Sequence, residues 1–505
     1  MGNKKKSNNN SFFRMLKVFL PLIFLVISNF TNSQKKQNIL FIGVDDMRPL
    51  INSYGHKQMK TPNIDKLASE GVQFNQAYTN IAVCGASRAS IMTGVRGSHS
   101  RFYKYYSRAD EDFPEATDLA KLFKQNGYKT ISLGKIYHET TDFIENWDYR
   151  KPYQNFRNYL NPDSKKEIKE RSEYHPRNGN LKTPAYEYAD VDDYSYNDGK
   201  LTLEAIRNLK KLKESGDSFF MAVGYISTHL PFVQPEKYKN LYDDKDLVFS
   251  DQRSIPLNAH PRSYHAWSEL RNGYLDIPEK GPVDVTMEKN LIKAYYSTVS
   301  YLDTLIGKLI KSLDDLGLRE NTTIVLWSDH GFFLGEHGFW CKHHTFQEAI
   351  HVPLIISSPE KKKNVKTDAL VEYIDIYPTL CEITGIEPPD YIHGKSMVPI
   401  LDNPRIKFKD EIYSRYQFRE VVQDHNYSYH EILYYNKFTK DRKGGRTPAI
   451  DSDVRVSGYM LFDMKNDLKQ SVDVSKEIKN QDLVKKYAQK LKKMREFSNQ
   501  TIVIK

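Results

Sequence analysis

The sequence predicts an α/β fold built on a large, mostly parallel sheet, followed by a smaller C-terminal α+β part with an antiparallel sheet. Three observations carry this. Continuous apolar runs of strand length recur at residues 37–45 (QNILFIGVD), 129–133, 218–225 (SFFMAVGY) and 322–328 (TTIVLWS), as expected for strands buried on both faces. Segments with helix signals lie between them, the pattern of strands joined by crossover helices. Polar residues also gather just past the ends of these runs, at Asp45-Asp46, Lys135, His229 and Asp329-His330. In open α/β sheets, sites form at the carboxyl ends of the strands.

Taken in order, residues 1–33 read as an export signal. Lys4, Lys5 and Lys6 precede an apolar run over residues 18–27 that is too short to span a bilayer, and polar residues follow it. The first strand ends in Asp45 and Asp46. Residues 61–71 (TPNIDKLASEG) place proline at a helix start and glycine past its end, and residues 117–127 repeat that logic. Residues 291–316 have helical periodicity. The polar stretches 140–198 and 243–282 read as loops lining a cleft. Past about Pro404, short strands at 411–416 and 455–462 alternate with turns before a basic amphipathic helix over 481–497. The expected organisation is a signal peptide over 1–33, a catalytic domain over 34–404 and a smaller domain over 405–505.

Composition is that of a globular protein, with 39% hydrophobic and 27% charged residues. The net charge of +10 falls to about +5 once residues 1–33, with five basic residues and no acid, are removed. That surplus suits a polyanionic substrate as well as a plain solvated surface, and no nucleic-acid partner is expected. Three cysteines, Cys84, Cys341 and Cys381, exclude a disulfide scaffold and leave at least one thiol unpaired. Cys341 and Cys381 are read as free thiols.

Two adjacent pairs, Asp45-Asp46 and Asp329-His330, bring three carboxylates and an imidazole to strand ends, where the carboxylates repel unless a cation lies between them. Oxygen ligands favour calcium or magnesium over zinc. Cys84 opens VCGASRASIMTG, and Arg88 lies one helical turn beyond it.

That segment resembles the signature of the type I, formylglycine-dependent sulfatases, usually C-x-P-S-R with a later T-G. Cys84, Ser87, Arg88, Thr93 and Gly94 match, and Ala86 stands where proline is commoner. Further motifs follow in family order: GKIYH to His138, THLPF around His229, SDHG from Ser328, LGEHGFWCK to Lys342, YPTLCEITGI from Tyr377 and HGKSMVPIL from His393. The resemblance covers roughly residues 37–401 and is nearest to the iduronate-2-sulfatase branch, through AVGY, STVSYLDT and GEHGFWCKHHTF.

The resemblance implies an alkaline-phosphatase-like fold and conversion of Cys84 to 3-oxoalanine (formylglycine) by a maturase. It also implies one Ca2+ per chain, held by Asp45, Asp46, residue 84, Asp329 and His330. Of the two hydroxyls of the hydrated aldehyde, one attacks sulfur and the other drives release of sulfate, which an ordinary serine could not do. Arg88 offsets the carboxylates, Lys135 and Lys342 clamp the sulfate, His138 is the base, and His229 is the acid for the leaving sugar oxygen. The expected partner is a sulfated oligo- or polysaccharide, such as an algal polymer like ulvan or a glycosaminoglycan, attacked by exo removal of a 2-O-sulfate from a uronate. The expected location is periplasmic or extracellular, with no membrane attachment after signal cleavage.

Ser227 and Thr228 depart from the branch, which usually carries a basic residue and proline there. Competing readings are a phosphodiesterase or phosphonate hydrolase of the same superfamily and a non-catalytic glycan-binding protein with unmodified Cys84. Tyr105, Trp147 and Arg150 are candidate sugar contacts, His343 and His344 either line the cleft or face solvent, and His337 is structural.

Overall fold

The computed structural model describes residues 1–2, 36–153, 157–172, 181–500 and 502. The export signal expected over residues 1–33 lies, apart from Met1 and Gly2, outside the described residues. Among the described residues, no helix is long and apolar enough to cross a membrane.

Eight strands form the main sheet: β1 (Asn38–Val44), β2 (Val72–Phe74), β3 (Lys129–Gly134), β4 (Tyr149–Pro152), β5 (Phe219–Tyr225), β6 (Thr322–Ser328), β7 (Leu354–Ser357) and β8 (Val365–Thr367). Their order is β8-β2-β7-β6-β1-β5-β3-β4. The centre, from β6 to β4, is parallel throughout. The sheet as a whole is mixed, because β7 runs antiparallel to both β6 and β2.

The apolar runs sit in this centre for a simple reason. In β1, Ile39 and Phe41 face one core with Phe220, Val325 and Trp327, while Leu40, Ile42 and Val44 face another with Met221, Leu326 and Tyr301. Period-two alternation therefore puts apolar groups on both faces, each fully buried side chain contributing about 1.5–3 kcal/mol. Helices α1 (Pro62–Ser69), α2 (Cys84–Thr93), α3 (Leu119–Gln125), α4 (Asn197–Ser215), α5 (Val285–Asp315) and α6 (Ile376–Thr384) cover them. On the first face lie α2, α3 and α6; on the second lie α1, α4 and α5.

Register then positions the chemistry. Val44 pairs with Tyr225 on one side and Ser328 on the other, so Asp45 and Asp329 emerge side by side at the same edge. Beyond β3 the chain turns at Gly134 (φ +75) against Gly224, where a Cβ would stand 2.1 Å from the Lys135 carbonyl oxygen. Only glycine admits that approach, and it aims Lys135 at Asp45.

The C-terminal region forms an antiparallel sheet of β9 (Ile412–Tyr416), β10 (Arg419–Gln423), β11 (Tyr427–Tyr435) and β12 (Val454–Asp463), in that order. Helix α7 (Gln481–Asn499) packs Val484, Tyr487 and Leu491 on Tyr413, Val422, Tyr429 and Leu461. Arg415 of β9 exchanges backbone hydrogen bonds with Asn80 and Ala82, which brings Tyr416 toward the cavity at Cys84.

The stretches expected to be loops hold more order than polarity suggested. Residues 140–198 contain β4, a helix over Pro162–Arg171 and a strand over Tyr186–Ala189, and 243–282 contains a helix over Ser268–Gly273. The Pro162–Arg171 helix has no buried side chain, so no apolar stripe marked it.

Candidate active site at the carboxyl edge of the sheet

Cys84 opens α2 and is buried. The Gly85 amide donates to the Tyr105 carbonyl at 2.9 Å, and a Cβ on Gly85 would stand 2.1 Å from that oxygen. A larger residue there would push the Cys84 turn off the Tyr105 loop. One turn on, Arg88 is fully buried. Its Nε donates to Asp329 Oδ2 at 2.9 Å, its Nη2 to Asp45 Oδ1 at 3.0 Å, and its Nη1 to the carbonyls of Lys135 and Ile136. A planar fork suits this task, tying two strand ends to the helix.

Asp45 also receives Lys135 Nζ at 2.5 Å. Burial pulls its carboxyl up, but Lys135 and then Arg88 outweigh that and hold it well below the usual range. Asp329 is pushed up by burial, with Arg88 opposing and Asp45 adding to the rise. Its Oδ1 accepts from the backbone amides of Asp46 (3.1 Å) and His330 (3.0 Å).

The His330 Nδ1 hydrogen bonds the Gly331 carbonyl at 3.0 Å, which as an acceptor fixes the proton on Nδ1. Nε2 therefore turns toward Cys84 Sγ (3.2 Å), Asp46 Oδ1 (3.4 Å) and Asp329 Oδ2 (3.6 Å). Asp46 Oδ1 is buried and has no hydrogen-bond partner among the described residues. Potential ligand atoms of Asp45, Asp46, Cys84 and His229, and those of Cys84, Asp329 and His330, lie within 4.8 Å of one another in each group. Burial pushes the Cys84 thiol well up, so the unmodified side chain is a poor nucleophile at neutral pH.

Facing this cluster, Lys342 Nζ reaches Asp46 Oδ2 (3.0 Å), Glu269 Oε1 (2.7 Å) and His229 Nε2 (3.3 Å). His229 sets Nδ1 against the Leu230 carbonyl at 2.5 Å and Nε2 3.0 Å from Glu269 Oε1. Burial and Lys342 press its pKa down, but Asp46 and Glu269 prevail and raise it. His138 goes the other way: burial and then Lys135 keep it well below its ordinary value, hence neutral, and its Nδ1 has no hydrogen-bond partner among the described residues. These groups surround a cavity of about 550 Å³ closed by Tyr105, His265, Tyr274, His343 and Tyr416.

All ten residues expected at the site thus converge: Asp45, Asp46, Cys84, Arg88, Lys135, His138, His229, Asp329, His330 and Lys342. Tyr105 and His343 line the cavity as well. Trp147 does not; it is buried and stacks on Phe220 at 5.9 Å, because an aromatic ring beside β4 completes the core of that face. Arg150 gives its guanidinium to the Thr140 carbonyl. His344 is fully buried against Phe346, with Nε2 2.9 Å from the Ser263 carbonyl. His337 is buried beside Glu348, as a structural residue should be. Cys341 and Cys381 are free and buried. Glu269 was missed: it stands in the polar 243–282 stretch, and no motif marks it.

With a buried cysteine, carboxylates and two lysines at the carboxyl edge of its mixed sheet, the chain matches the sulfuric ester hydrolases in sequence and the alkaline-phosphatase-like sulfatase fold in structure. The chain belongs to the sulfatase family, whose model matches residues 37–386, and the model of the N-sulphoglucosamine sulphohydrolase C-terminal region matches 335–497. Among its relatives is iduronate 2-sulfatase. The human protein is 29% identical over 473 residues, covering 84% of this chain and 83% of its own length. The mouse protein is 33% identical over 389 residues, covering 70% and 69%. A structure solved in complex with its substrate D-glucosamine-2-N,6-O-disulfate superimposes with a TM-score of 0.71 at 20% identity, covering 92% of this chain and 98% of that one.

Proposed function

We propose that this sulfatase removes a sulfate ester from a sulfated saccharide, with formylglycine at position 84 and one Ca2+, and that its substrate is a terminal 2-O-sulfated uronate or similar sugar of an exported polysaccharide-degrading system. The observation that carries the metal is the Asp46 Oδ1–His330 Nε2 contact. Two lone-pair atoms face each other at 3.4 Å, one of them buried with no hydrogen-bond partner among the described residues, beside Asp329 and Cys84. Such an arrangement suits a cation, and the oxygen-rich donor set of Asp45, Asp46 and Asp329 with one imidazole suits calcium or magnesium. Bound there, Ca2+ would supply positive charge that polarises the nucleophile and offsets charge growing on the sulfate oxygens.

Formylglycine is supported by the C-x-A-S-R segment and by the high pKa of the Cys84 thiol. Once hydrated, it offers two hydroxyls on one carbon, one to attack sulfur and one whose deprotonation expels sulfate. Lys135 and Lys342 flank the position of the sulfate and hold its oxygens. His138, neutral and facing the cavity, accepts the proton as sulfate leaves. His229, with its raised pKa, delivers a proton to the sugar oxygen as the S–O bond breaks. The relatives' action on iduronate 2-sulfate and the mild positive charge support a uronate. The Asp198 carboxylate accepts the amides of Ile226 and Ser227, and Thr228 is buried with its amide and hydroxyl on the Asp45 carbonyl. The signal-like residues 1–33 support export to the periplasm or beyond.

The test is release of free sulfate from defined methyl glycosides, each monosulfated at one position, by maturase-activated protein in calcium. Peptide mass at residue 84 verifies the aldehyde. Release from 2-O-sulfated uronosides is the expected result. Cleavage confined to phosphonate or phosphate esters would overturn the assignment.

A further inference from the structure

Glu269 lies in the first turn of the Ser268–Gly273 helix. Its entry is fixed by Trp267, at φ +37, and by the Arg271 guanidinium stacked 3.2 Å from the Trp267 ring centroid. The two oxygens of this carboxylate face different surroundings. Oε1 accepts from Lys342 Nζ at 2.7 Å and stands 3.0 Å from His229 Nε2. Oε2 makes no hydrogen bond to a described residue. The His343 Nε2 is 4.0 Å from it, beyond hydrogen-bond length, and the Glu269 side chain remains 22% exposed in the cavity.

The inference rests on the reading that His229 serves the oxygen leaving sulfur. On a sugar ring, the oxygen of the neighbouring carbon stands within hydrogen-bond length of that leaving oxygen. With the leaving oxygen at His229 Nε2, the neighbour falls beside Glu269, whose Oε1 already lies against the same nitrogen. A carboxylate only accepts hydrogen bonds, so the neighbour must donate. We propose that Glu269 is a specificity-determining residue whose Oε2 accepts a hydrogen bond from a free hydroxyl on the carbon next to the sulfated one. The substrate class is therefore a saccharide sulfate with an unsubstituted vicinal hydroxyl. A vicinal ether removes the donor, and a vicinal sulfate sets like charges together, so both are rejected.

The test compares kcat/KM of the activated, calcium-loaded full chain for three ligands: the best-cleaved methyl glycoside monosulfate and its analogues with the vicinal hydroxyl replaced by hydrogen or by fluorine. Both replacements should lower kcat/KM by about 10- to 100-fold, because fluorine accepts but cannot donate. In Glu269→Gln the three values should converge to within about threefold. Each ratio is taken within one protein, so any loss shared by the three ligands through Lys342 and His229 cancels. A fluorine analogue as good as the parent would overturn the proposal, pointing to a donor such as Lys342 instead. An unchanged ratio in Glu269→Gln would overturn it too. If that variant does not fold, the wild-type fluorine comparison still decides. Cleavage of 4-nitrophenyl sulfate with no saccharide sulfate cleaved would overturn the saccharide reading, and this inference with it.

Discussion

Arg88→Met removes the side chain whose guanidinium pairs with both Asp45 and Asp329. Methionine fills most of the volume but strands whichever carboxylate keeps no cation. Lys135 Nζ still covers Asp45 at 2.5 Å, whereas Asp329 loses the Arg88 Nε at 2.9 Å, the one lysine or arginine group paired with it among the described residues, and keeps the two amides of Asp46 and His330. Breaking a buried ion pair from one side costs about 3–5 kcal/mol. With Asp45 still paired, the lower end applies, about 3 kcal/mol, a large share of a typical 5–15 kcal/mol. Urea unfolding in chelator is the assay, followed by tryptophan fluorescence, and Trp327, whose ring centroid is 5.5 Å from the Arg88 guanidinium, reports on this region. The midpoint should fall by about 0.5–1 M, m being at or above the roughly 3 kcal/mol/M of small proteins for a chain of this size. Saturating calcium at a hundredfold excess over Kd adds about 2.7 kcal/mol to a protein that binds it, so the deficit should shrink in calcium if the ion replaces part of the lost charge. A midpoint within about 0.2 M of wild type in chelator would refute the claim that Arg88 neutralises this buried carboxylate pair.

Three further outcomes are expected. Asp46→Asn should abolish the rise in melting temperature that calcium gives the wild type relative to chelator, and an equal rise in both proteins would remove Asp46 from the ion site. His229→Gln should lower kcat on a saccharide sulfate by about 10²- to 10⁴-fold but on 4-nitrophenyl sulfate far less, since a phenolate leaves without a proton; equal losses would count against proton delivery by His229. Glu372, buried between Arg96 and Lys409, is drawn down from its ordinary 4.5 to about 2, burial opposing and the two cations prevailing. A depressed carboxyl stabilises above its unfolded pKa and loses that stability as pH falls through the folded one, so the window is pH 4.5 to 2 and the contribution about 3 kcal/mol. Glu372→Gln should therefore lower stability at pH 7 and flatten the acid limb of a stability–pH curve, and a limb as steep as wild type would show that another group produces it.

The sheet centre was legible because buried parallel strands need apolar groups on both faces, and residues 39–44 (ILFIGV) carry no polar side chain. The charged ends were legible for the same reason: Asp45 and Asp329 interrupt apolar runs abruptly. The edges were not. Strands β2, β4 and β8 are three or four residues long, and their pairing depends on partners far away in sequence, such as Gln73 opposite Ile355. Trp147 illustrates the opposite error: an aromatic residue in a polar stretch suggests a sugar platform until the Phe220 ring beneath it is seen. Glu269 was hidden because its importance is purely spatial. Its neighbours in the chain, Ser268 and Leu270, say nothing of Lys342, which reaches it from 73 residues away.

The contact between Cys84 and His330 spans 246 residues of chain. At about 5–20 residues per second, a ribosome needs about 10–50 s to synthesise that interval. Throughout it the thiol lies in a nascent segment beside Asp45 and Asp46 but without Asp329, His330 and Lys342. Once Asp329, His330 and Lys342 have arrived, the side chain is 3% exposed and Gly85 is locked to the Tyr105 carbonyl. Any enzyme that must grip the peptide around Cys84 therefore works against a clock set by translation, and heterologous production should depend less on how much of that enzyme a cell holds than on whether it meets the chain before the second half is made.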